Sequence, residues 1–152
     1  MRCAQRNERI GGRQLTASAA PLSRKLGIRP GARVAVVGAP AEFVDLLGSL
    51  PRGARLVAGA GPRSDVIVLF ATRGADLAER FGAALPSLAV DGGLWLAYPK
   101  QTSGVATDLT FASIQRLGLD AGLVDNKSCA IDATWTALRF VVPLARRQTW
   151  AG

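Results

Sequence analysis

Apolar residues in this sequence form short continuous runs that are separated by turns and by segments of helical spacing. An unbroken apolar run is typical of a strand that is covered on both of its faces. Glycine and proline mark the turns between the runs. Four segments with strand length and composition are Arg33–Val37, Arg55–Ala58, Val66–Phe70 and Leu94–Tyr98. Asp91-Gly92-Gly93 is predicted to be the turn that precedes the last of them.

Four other segments predict helices, because apolar residues recur in them at the i, i+3, i+4 spacing or because proline and glycine bound them. Thr107 is the predicted N-cap of the last helix, since a threonine side chain can accept a hydrogen bond from a free amide in the first turn. The predicted helices are Pro21–Leu26, Pro40–Leu47, Ala75–Leu85 and Thr107–Leu117.

The last third of the chain has a different pattern. Leu119–Asp125 and Thr136–Pro143 are strand-like, and only Asn126–Thr134 separates them, with no helix. Such spacing favours an antiparallel pair at one edge of a sheet. The element order therefore predicts an α/β fold: a doubly wound, mostly parallel, Rossmann-like sheet with an antiparallel C-terminal edge pair. It resembles the order in class I methyltransferases.

The charge is concentrated at the two ends of the chain. Of the formal net charge of +8 over 152 residues, residues 1–30 carry +6, residues 31–145 carry zero, and Arg146 with Arg147 carries +2. We predict a flexible basic tail over residues 1–19, a single domain over 20–145 and a C-terminal tail over 146–152. Weak, non-specific nucleic-acid binding, if present, is expected in the basic tail, because neutralising phosphates releases counterions.

The absence of histidine excludes several kinds of chemistry. Ser-His-Asp and Cys-His catalysis and nearly all zinc sites need this residue, so no metal site is predicted. The two cysteines have no metal-binding or redox spacing, which favours a reduced, cytoplasmic protein. No apolar run reaches the ~18–20 residues that would cross a membrane, and none follows the N-terminus as a secretory signal would require.

The turn after the first strand, Gly38-Ala39-Pro40, would carry a cofactor fingerprint if there were one. Dinucleotide and methyltransferase sites use several glycines here so that the backbone can approach the cofactor. This turn has one glycine and a proline that lacks an N–H group. The carboxylate that would bind ribose hydroxyls is also missing after the second strand, Val57-Ala58-Gly59. A conventional nicotinamide or S-adenosylmethionine site is therefore not expected.

The loop after the fourth strand is the stronger candidate. Lys100, Thr102 and Ser103 place donors beside Gly104, just before the predicted helix N-terminus, and such a terminus attracts anions. Asp108, in the first turn of that helix, would repel an anion. The alternative is a capped loop whose hydroxyl groups satisfy backbone groups.

Ligands of open α/β sheets bind at the carboxyl ends of the strands, so these loops are predicted to form one crevice. The main hypothesis is a non-catalytic module that binds a small anionic ligand there, with no cofactor. The alternatives are a divergent methyltransferase-like enzyme that uses S-adenosylmethionine and an interaction protein that acts through its basic tail. The predicted crevice residues are Gly38, Ala39, Arg73, Tyr98, Pro99, Lys100, Thr102, Ser103, Gly104, Asn126 and Lys127.

Three segments carry a resemblance to a known family: Pro21–Gly31, Gly92–Leu109 and Gly122–Phe140. The second contains P-K-Q-T-S-G-V-A-T-D-L, and the third contains D-N-K-S-C-A-I-D-A-T-W. Over about residues 20–145 the sequence resembles the bacterial family known as domain of unknown function 3052. That resemblance implies a small cytoplasmic Rossmann-like domain and no established activity.

Overall fold

A computed structural model describes residues 21–58 and 63–150, which form a six-stranded sheet with helices on both of its faces. The strands are β1 (Arg33–Val37), β2 (Arg55–Ala58), β3 (Ser64–Phe70), β4 (Leu88–Pro99), β5 (Val124–Ala130) and β6 (Trp135–Val141). The helices are α1 (Leu22–Lys25), α2 (Phe43–Leu47), α3 (Gly74–Ala84) and α4 (Phe111–Asp120).

The strand order is β2-β1-β3-β4-β6-β5. Strands β2, β1, β3 and β4 are parallel to one another. Strand β6 is antiparallel to both β4 and β5, although it comes last in the sequence. The predicted fold class is therefore confirmed: the sheet is mostly parallel and ends in an antiparallel edge, and β1, β3 and β4 are central and parallel.

Two hydrophobic layers hold the helices on the sheet. On one face, α1 and α2 pack on alternate residues of the central strands, among them Val34, Val68 and Trp95. The buried indole N–H of Trp95 donates a hydrogen bond to the carbonyl of Leu26, 3.0 Å away, and so ties the end of α1 to β4. On the other face, α3 and α4 pack on the residues between, such as Leu96. Continuous apolar runs are thus explained by burial on both faces.

Strand β4 is longer than the sequence predicts. Asp91-Gly92-Gly93 was expected to be a turn, and this prediction is wrong because these residues lie inside the strand Leu88–Pro99. A Cβ atom on Gly92 would lie 2.5 Å from the carbonyl oxygen of Asp65 on β3, so a side chain would force the two strands apart. The glycines permit close packing here, at an irregularity in the register between β3 and β4.

The predicted starts of the last helix and of β5 are also wrong by several residues. Helix α4 begins at Phe111 with Thr110 as its N-cap: the Thr110 side chain accepts from the Ser113 amide and the Ser113 side chain from the Thr110 amide. Thr107 is therefore not the cap. Strand β5 begins at Val124 rather than Leu119, because the helix continues to Asp120. The antiparallel pairing of the last two strands is as predicted.

The segment after β6 continues along the domain. The indole N–H of Trp150 in this segment donates a hydrogen bond to the carbonyl of Leu88, 3.3 Å away, and the indole ring packs on the α3–α4 side of the core. The predicted basic tail, residues 1–19, lies outside the described residues, and its role stays a prediction. Within residues 21–58 and 63–150, no helix is long and apolar enough to cross a membrane.

Candidate functional site: the crevice between β1 and β3

The carboxyl ends of β1, β3 and β4 lie at one edge of the sheet because these strands are parallel neighbours. From β1 the chain passes to β2 on one side, and β3 lies on the other side of β1. The crevice where ligands bind in open α/β sheets lies at such a reversal of strand order. In this protein that position is between the ends of β1 and β3.

Gly38, the first residue after β1, lies at this crevice and has a left-handed backbone with φ of 73°. A Cβ atom added to it would lie 2.6 Å from Nη1 of Arg80 and 2.8 Å from the carbonyl oxygen of Phe70. Both distances are shorter than a carbon atom accepts, so only glycine fits. The single glycine of this turn therefore has a steric function.

Arg80 extends from α3 to the same point, and its guanidinium donates a hydrogen bond to the carbonyl of Phe70, the last residue of β3. A guanidinium has five donors in a planar fork. One of them is committed to Phe70, so others remain for a ligand. Sequence reasoning missed Arg80. Its position in the sequence could have indicated this, because Arg80 lies three residues after Leu77 and next to Phe81, and these two residues form the buried face of α3.

The loop after β4 does not form the predicted cradle before a helix. Residues Gln101–Ser103 form one 3-10 turn, Gly104 is left-handed with φ of 81°, and the helix begins only at Phe111. The hydroxyl of Ser103 donates to the carbonyl of Lys100 at 2.7 Å and accepts from the amide of Val105 at 3.2 Å. The Ser103 hydroxyl therefore satisfies backbone groups of its own loop, as the capped-loop alternative predicts.

The rest of this loop is tied to the loop after β3. The hydroxyl of Thr107 donates to the carbonyl of Thr72, and Oδ1 of Asp108 accepts from the amide of Gly74 at 2.7 Å. Asp108 thus binds the first amide of α3 rather than lying in the first turn of α4. A carboxylate at a helix N-terminus is favourable. These two contacts hold the loops after β3 and β4 together at the rim of the crevice.

Tyr98 lies near the end of β4 and is buried against the α3–α4 side of the core. Burial raises the pKa of its hydroxyl, because the phenolate would lose its hydration. The side chain therefore stays protonated at neutral pH. It can donate a hydrogen bond, and it cannot serve as a base.

Asn126 and Lys127 are not part of this crevice. They were expected to end a strand and converge with Lys100, but they lie inside β5, where Lys127 is paired with Arg139 on β6. Lys127 lines a cavity with Arg29 and Asp65, at the edge where the parallel strands begin. The expected convergence is wrong because β5 starts five residues later than predicted. The other predicted residues lie at the carboxyl edge of the parallel strands. Tyr98 and Pro99 are the last two residues of β4, and the others follow β1, β3 or β4: Gly38, Ala39, Arg73, Lys100, Thr102, Ser103 and Gly104.

Comparison with solved structures relates this fold to methyltransferases. A SAM-dependent methyltransferase from Aquifex aeolicus aligns with 80% of this chain and 88% of its own, with a TM-score of 0.55 and 11% identity. A precorrin-6y C5,15-methyltransferase from Geobacter metallireducens aligns with 80% and 85%, with 0.59 and 12%. The magnesium protoporphyrin IX methyltransferase of Synechocystis, solved with bound SAH, aligns with 92% and 87%, with 0.51 and 14%. The fold is thus the Rossmann-like fold of methyltransferases.

The search of protein-family models and the search of curated proteins gave no match. At 11–14% identity the structural likeness shows the fold alone. It nevertheless corrects the main hypothesis from the sequence. The prediction of a non-catalytic module for a small anion, with no cofactor, is contradicted, because the similar structures are methyltransferases and one of them holds SAH. The methyltransferase-like alternative agrees with them better.

The residues at the crevice fit one end of S-adenosylmethionine. That molecule carries a carboxylate on its methionyl group, and an arginine fork is the side chain best suited to a carboxylate. Arg80 supplies this fork beside Gly38, whose missing side chain leaves room for the guanidinium itself. At the ribose end, Val57 and Ala58 provide no carboxylate at the end of β2. The residues therefore suit the methionyl end of the cofactor.

Proposed function

We propose that this protein binds S-adenosylmethionine in the crevice between β1 and β3 and is a divergent methyltransferase. The observation that carries the proposal is the position of the Arg80 guanidinium over Gly38, at the point where the strand order reverses. The methyltransferase fold supports it. When bound, the cofactor supplies a methyl group on a sulfonium centre for transfer to a nucleophile.

The contributions of the protein are binding and positioning. Arg80 takes the methionyl carboxylate while it keeps its hydrogen bond to Phe70, so its fork is already oriented before the ligand arrives. The contacts of Thr107 and Asp108 fix the rim. The hydroxyl of Tyr98, held protonated by burial, is a donor near the end of β4 and takes no proton from the acceptor.

Calorimetric titration of the full-length protein with S-adenosylmethionine and S-adenosylhomocysteine tests the proposal. We expect wild-type binding and a loss of about tenfold or more in Arg80→Met, since a hydrogen bond to a charged group contributes about 1.5–3 kcal/mol. Arg80→Lys, which keeps the charge without the fork, should lie between them. Arg116→Gln is the matched control, because it removes one exposed cation from α4, which packs on β5 and β6. Circular dichroism would verify that each variant is folded.

No binding by the wild-type protein at millimolar cofactor would end the proposal. Equal binding by wild type and Arg80→Met would remove Arg80 from the site. A Lys100→Ala variant belongs in the same series: unchanged binding would remove Lys100 from the predicted crevice. We also propose a cytoplasmic, bacterial setting, on the cysteine usage and on the family resemblance described above, which stays a prediction.

A further inference from the structure

The folded part of the chain separates its charges, although residues 31–145 carry no net charge by sequence. Basic residues cluster at the edge where the parallel strands begin. Arg33 and Arg55, the first residues of β1 and β2, are partners in the sheet register. Arg52 lies in the turn before β2, and Arg63 directly precedes β3. We call this set the basic edge: Arg29, Arg33, Arg52, Arg55, Arg63, Lys127 and Arg139.

Few carboxylates neutralise the basic edge. Asp65 and Asp91 lie there, and Oδ2 of Asp65 is engaged by the amide of Arg33 at 2.9 Å. Asp125 lies level with the edge but on the α4 side, where the Gln115 amide donates to it. In the described part of the chain the one ion pair is Arg116–Asp120, on α4. The cations of the basic edge therefore have no ion-pair partner among residues 21–58 and 63–150.

A cavity of about 420 Å³ opens at the centre of this edge. Arg29, Lys127 and Arg139 line it together with Asp65 and Asp91, so three cations face two carboxylates. Its volume is within the ~300–1,000 Å³ of ligand pockets. The cavity lies at the opposite end of the strands from Gly38, and it is thus separate from the proposed cofactor crevice.

Arg139 is the most constrained of the three cations. Its guanidinium lies over Gly93 of β4, where an added Cβ atom would be 2.4 Å from Nε and 2.7 Å from Nη2. Burial, and then the neighbouring charge of Arg29, lowers the pKa of Arg139. No described residue forms a hydrogen bond or ion pair with its side chain. A half-buried cation without such a partner is costly, and an anion in the cavity would stabilise it.

We propose that the basic edge binds the phosphate backbone of a nucleic acid, with one phosphate in the cavity between Arg29, Lys127 and Arg139. A guanidinium fork binds phosphate in a bidentate manner, which suits Arg139 over Gly93. The partner is a polymer because the basic residues continue beyond the cavity along the starts of three adjacent strands, each about 4.8 Å from the next. The preceding sequence, residues 1–20, adds Arg2, Arg6, Arg9 and Arg13.

Fluorescence anisotropy of labelled single-stranded and duplex oligonucleotides with the full-length protein tests this proposal. Arg139→Gln and Lys127→Gln should each weaken binding, and each should reduce the slope of log K against log[salt] by about 0.7 for single strands or about 0.9 for duplex. The double variant should lose about tenfold or more at low salt. Arg116→Gln is the control, since it removes the same charge from an exposed side chain of α4 and should leave the slope of log K against log[salt] unchanged.

A second variant tests the cavity without a change of charge. Gly93→Ala would push the Arg139 guanidinium out of its place, and we expect it to weaken binding to a similar extent as Arg139→Gln. If Arg139→Gln does not fold, Lys127→Gln decides the matter. The proposal is overturned if wild type does not bind at low salt, or if the edge variants lose no more than Arg116→Gln, which would place binding in the tail. It is also overturned if inorganic pyrophosphate stabilises the protein through Arg139 while oligonucleotides do not bind. Failure of cofactor binding would leave this result unaffected.

Discussion

Replacement of Gly38 by alanine tests the geometry of the crevice most directly. The left-handed backbone at this residue, with φ of 73°, costs an alanine about 1–2 kcal/mol. In addition, the new Cβ atom would lie 2.8 Å from the carbonyl oxygen of Phe70, which the sheet holds in place, and 2.6 Å from Nη1 of Arg80. Overpacking of this kind costs about 1–3 kcal/mol.

Gly27→Ala is a matched control for the backbone term. Gly27 has φ of 81°, and nothing lies within 4 Å of an added Cβ atom. It should lose about 1 kcal/mol, because the left-handed cost is offset in part by the ~0.4–1 kcal/mol that alanine gains by restricting the unfolded chain. We therefore expect Gly38→Ala to be less stable than Gly27→Ala by about 2 kcal/mol, which is the overpacking contribution.

Urea unfolding followed by tryptophan fluorescence measures both variants, and the three tryptophans make the signal strong. Cofactor titration gives a second measurement: Gly38→Ala should displace Arg80 and lose binding, whereas Gly27→Ala should keep it. Equal stability of the two variants would show that Gly38 has no steric function. Equal stability together with unchanged cofactor binding would refute the assignment of the crevice as well.

Three further predictions concern other parts of the chain. The stability of the protein should fall as pH rises above about 10. The reason is that burial raises the pKa of Tyr98, the only tyrosine, so the folded state keeps the proton after the unfolded chain has lost it. An absorbance titration should show late ionisation of Tyr98, and a Tyr98→Phe variant with the same pH dependence would contradict the prediction. Gly118→Ala should destabilise the protein by about 1–3 kcal/mol, because its Cβ atom would lie 2.0 Å from the Phe140 ring. Gly82→Ala has nothing within 4 Å of the added Cβ atom and should stabilise the protein by about 0.5–1 kcal/mol. Thermal melts that rank the two variants in the reverse order would contradict this prediction. Deletion of Met1–Ala19 should leave the melting temperature unchanged and reduce the salt slope of oligonucleotide binding without abolishing binding; full loss would place the whole interaction in the tail.

The central strands could be predicted from the sequence because their signal is local. Arg33–Val37 and Arg55–Ala58 have the predicted bounds, and the apolar core of β3 was found within two residues of its start. Gly92 and Gly93 could not be placed in the same way. Glycine pairs usually mark turns. These two are needed inside a strand because the carbonyl of Asp65 lies close to Gly92 and the guanidinium of Arg139 lies close to Gly93, and both groups come from distant parts of the sequence.

The polar strand β5 illustrates a different difficulty. Its sequence from Val124 to Ala130 has Asp, Asn, Lys and Ser in place of an apolar run, because it is an edge strand with one partner and partial exposure. Local propensity favours a turn for such residues. The strand was therefore placed too early in the chain, and Lys127 was assigned to the wrong end of the sheet.

The carboxyl edge of the sheet, where the candidate site lies, could be predicted from the sequence, but Arg80 could not. Parallel strands place the loops that follow them at one edge of the sheet, and the central parallel strands are predictable from their apolar runs. Arg80 belongs to a helix, and only the packing of α3 on β3 brings it to Gly38. The basic edge was hidden for the same reason: ten basic and ten acidic residues between positions 31 and 145 cancel in the sequence, and the topology separates them.

The position of β6 between β4 and β5 has a consequence for the order of events during protein synthesis. One edge of β4 is paired by β6, which is the last of the six strands of the sheet to be synthesised. Until then, β5 has no partner and the apolar segment 94–99 of β4 presents free backbone groups along one side. An uncovered apolar edge of this kind is a site of self-association. Nascent or truncated chains that end before Trp135 should therefore be the aggregation-prone forms of this protein, while chains that extend past Val141 close the sheet themselves.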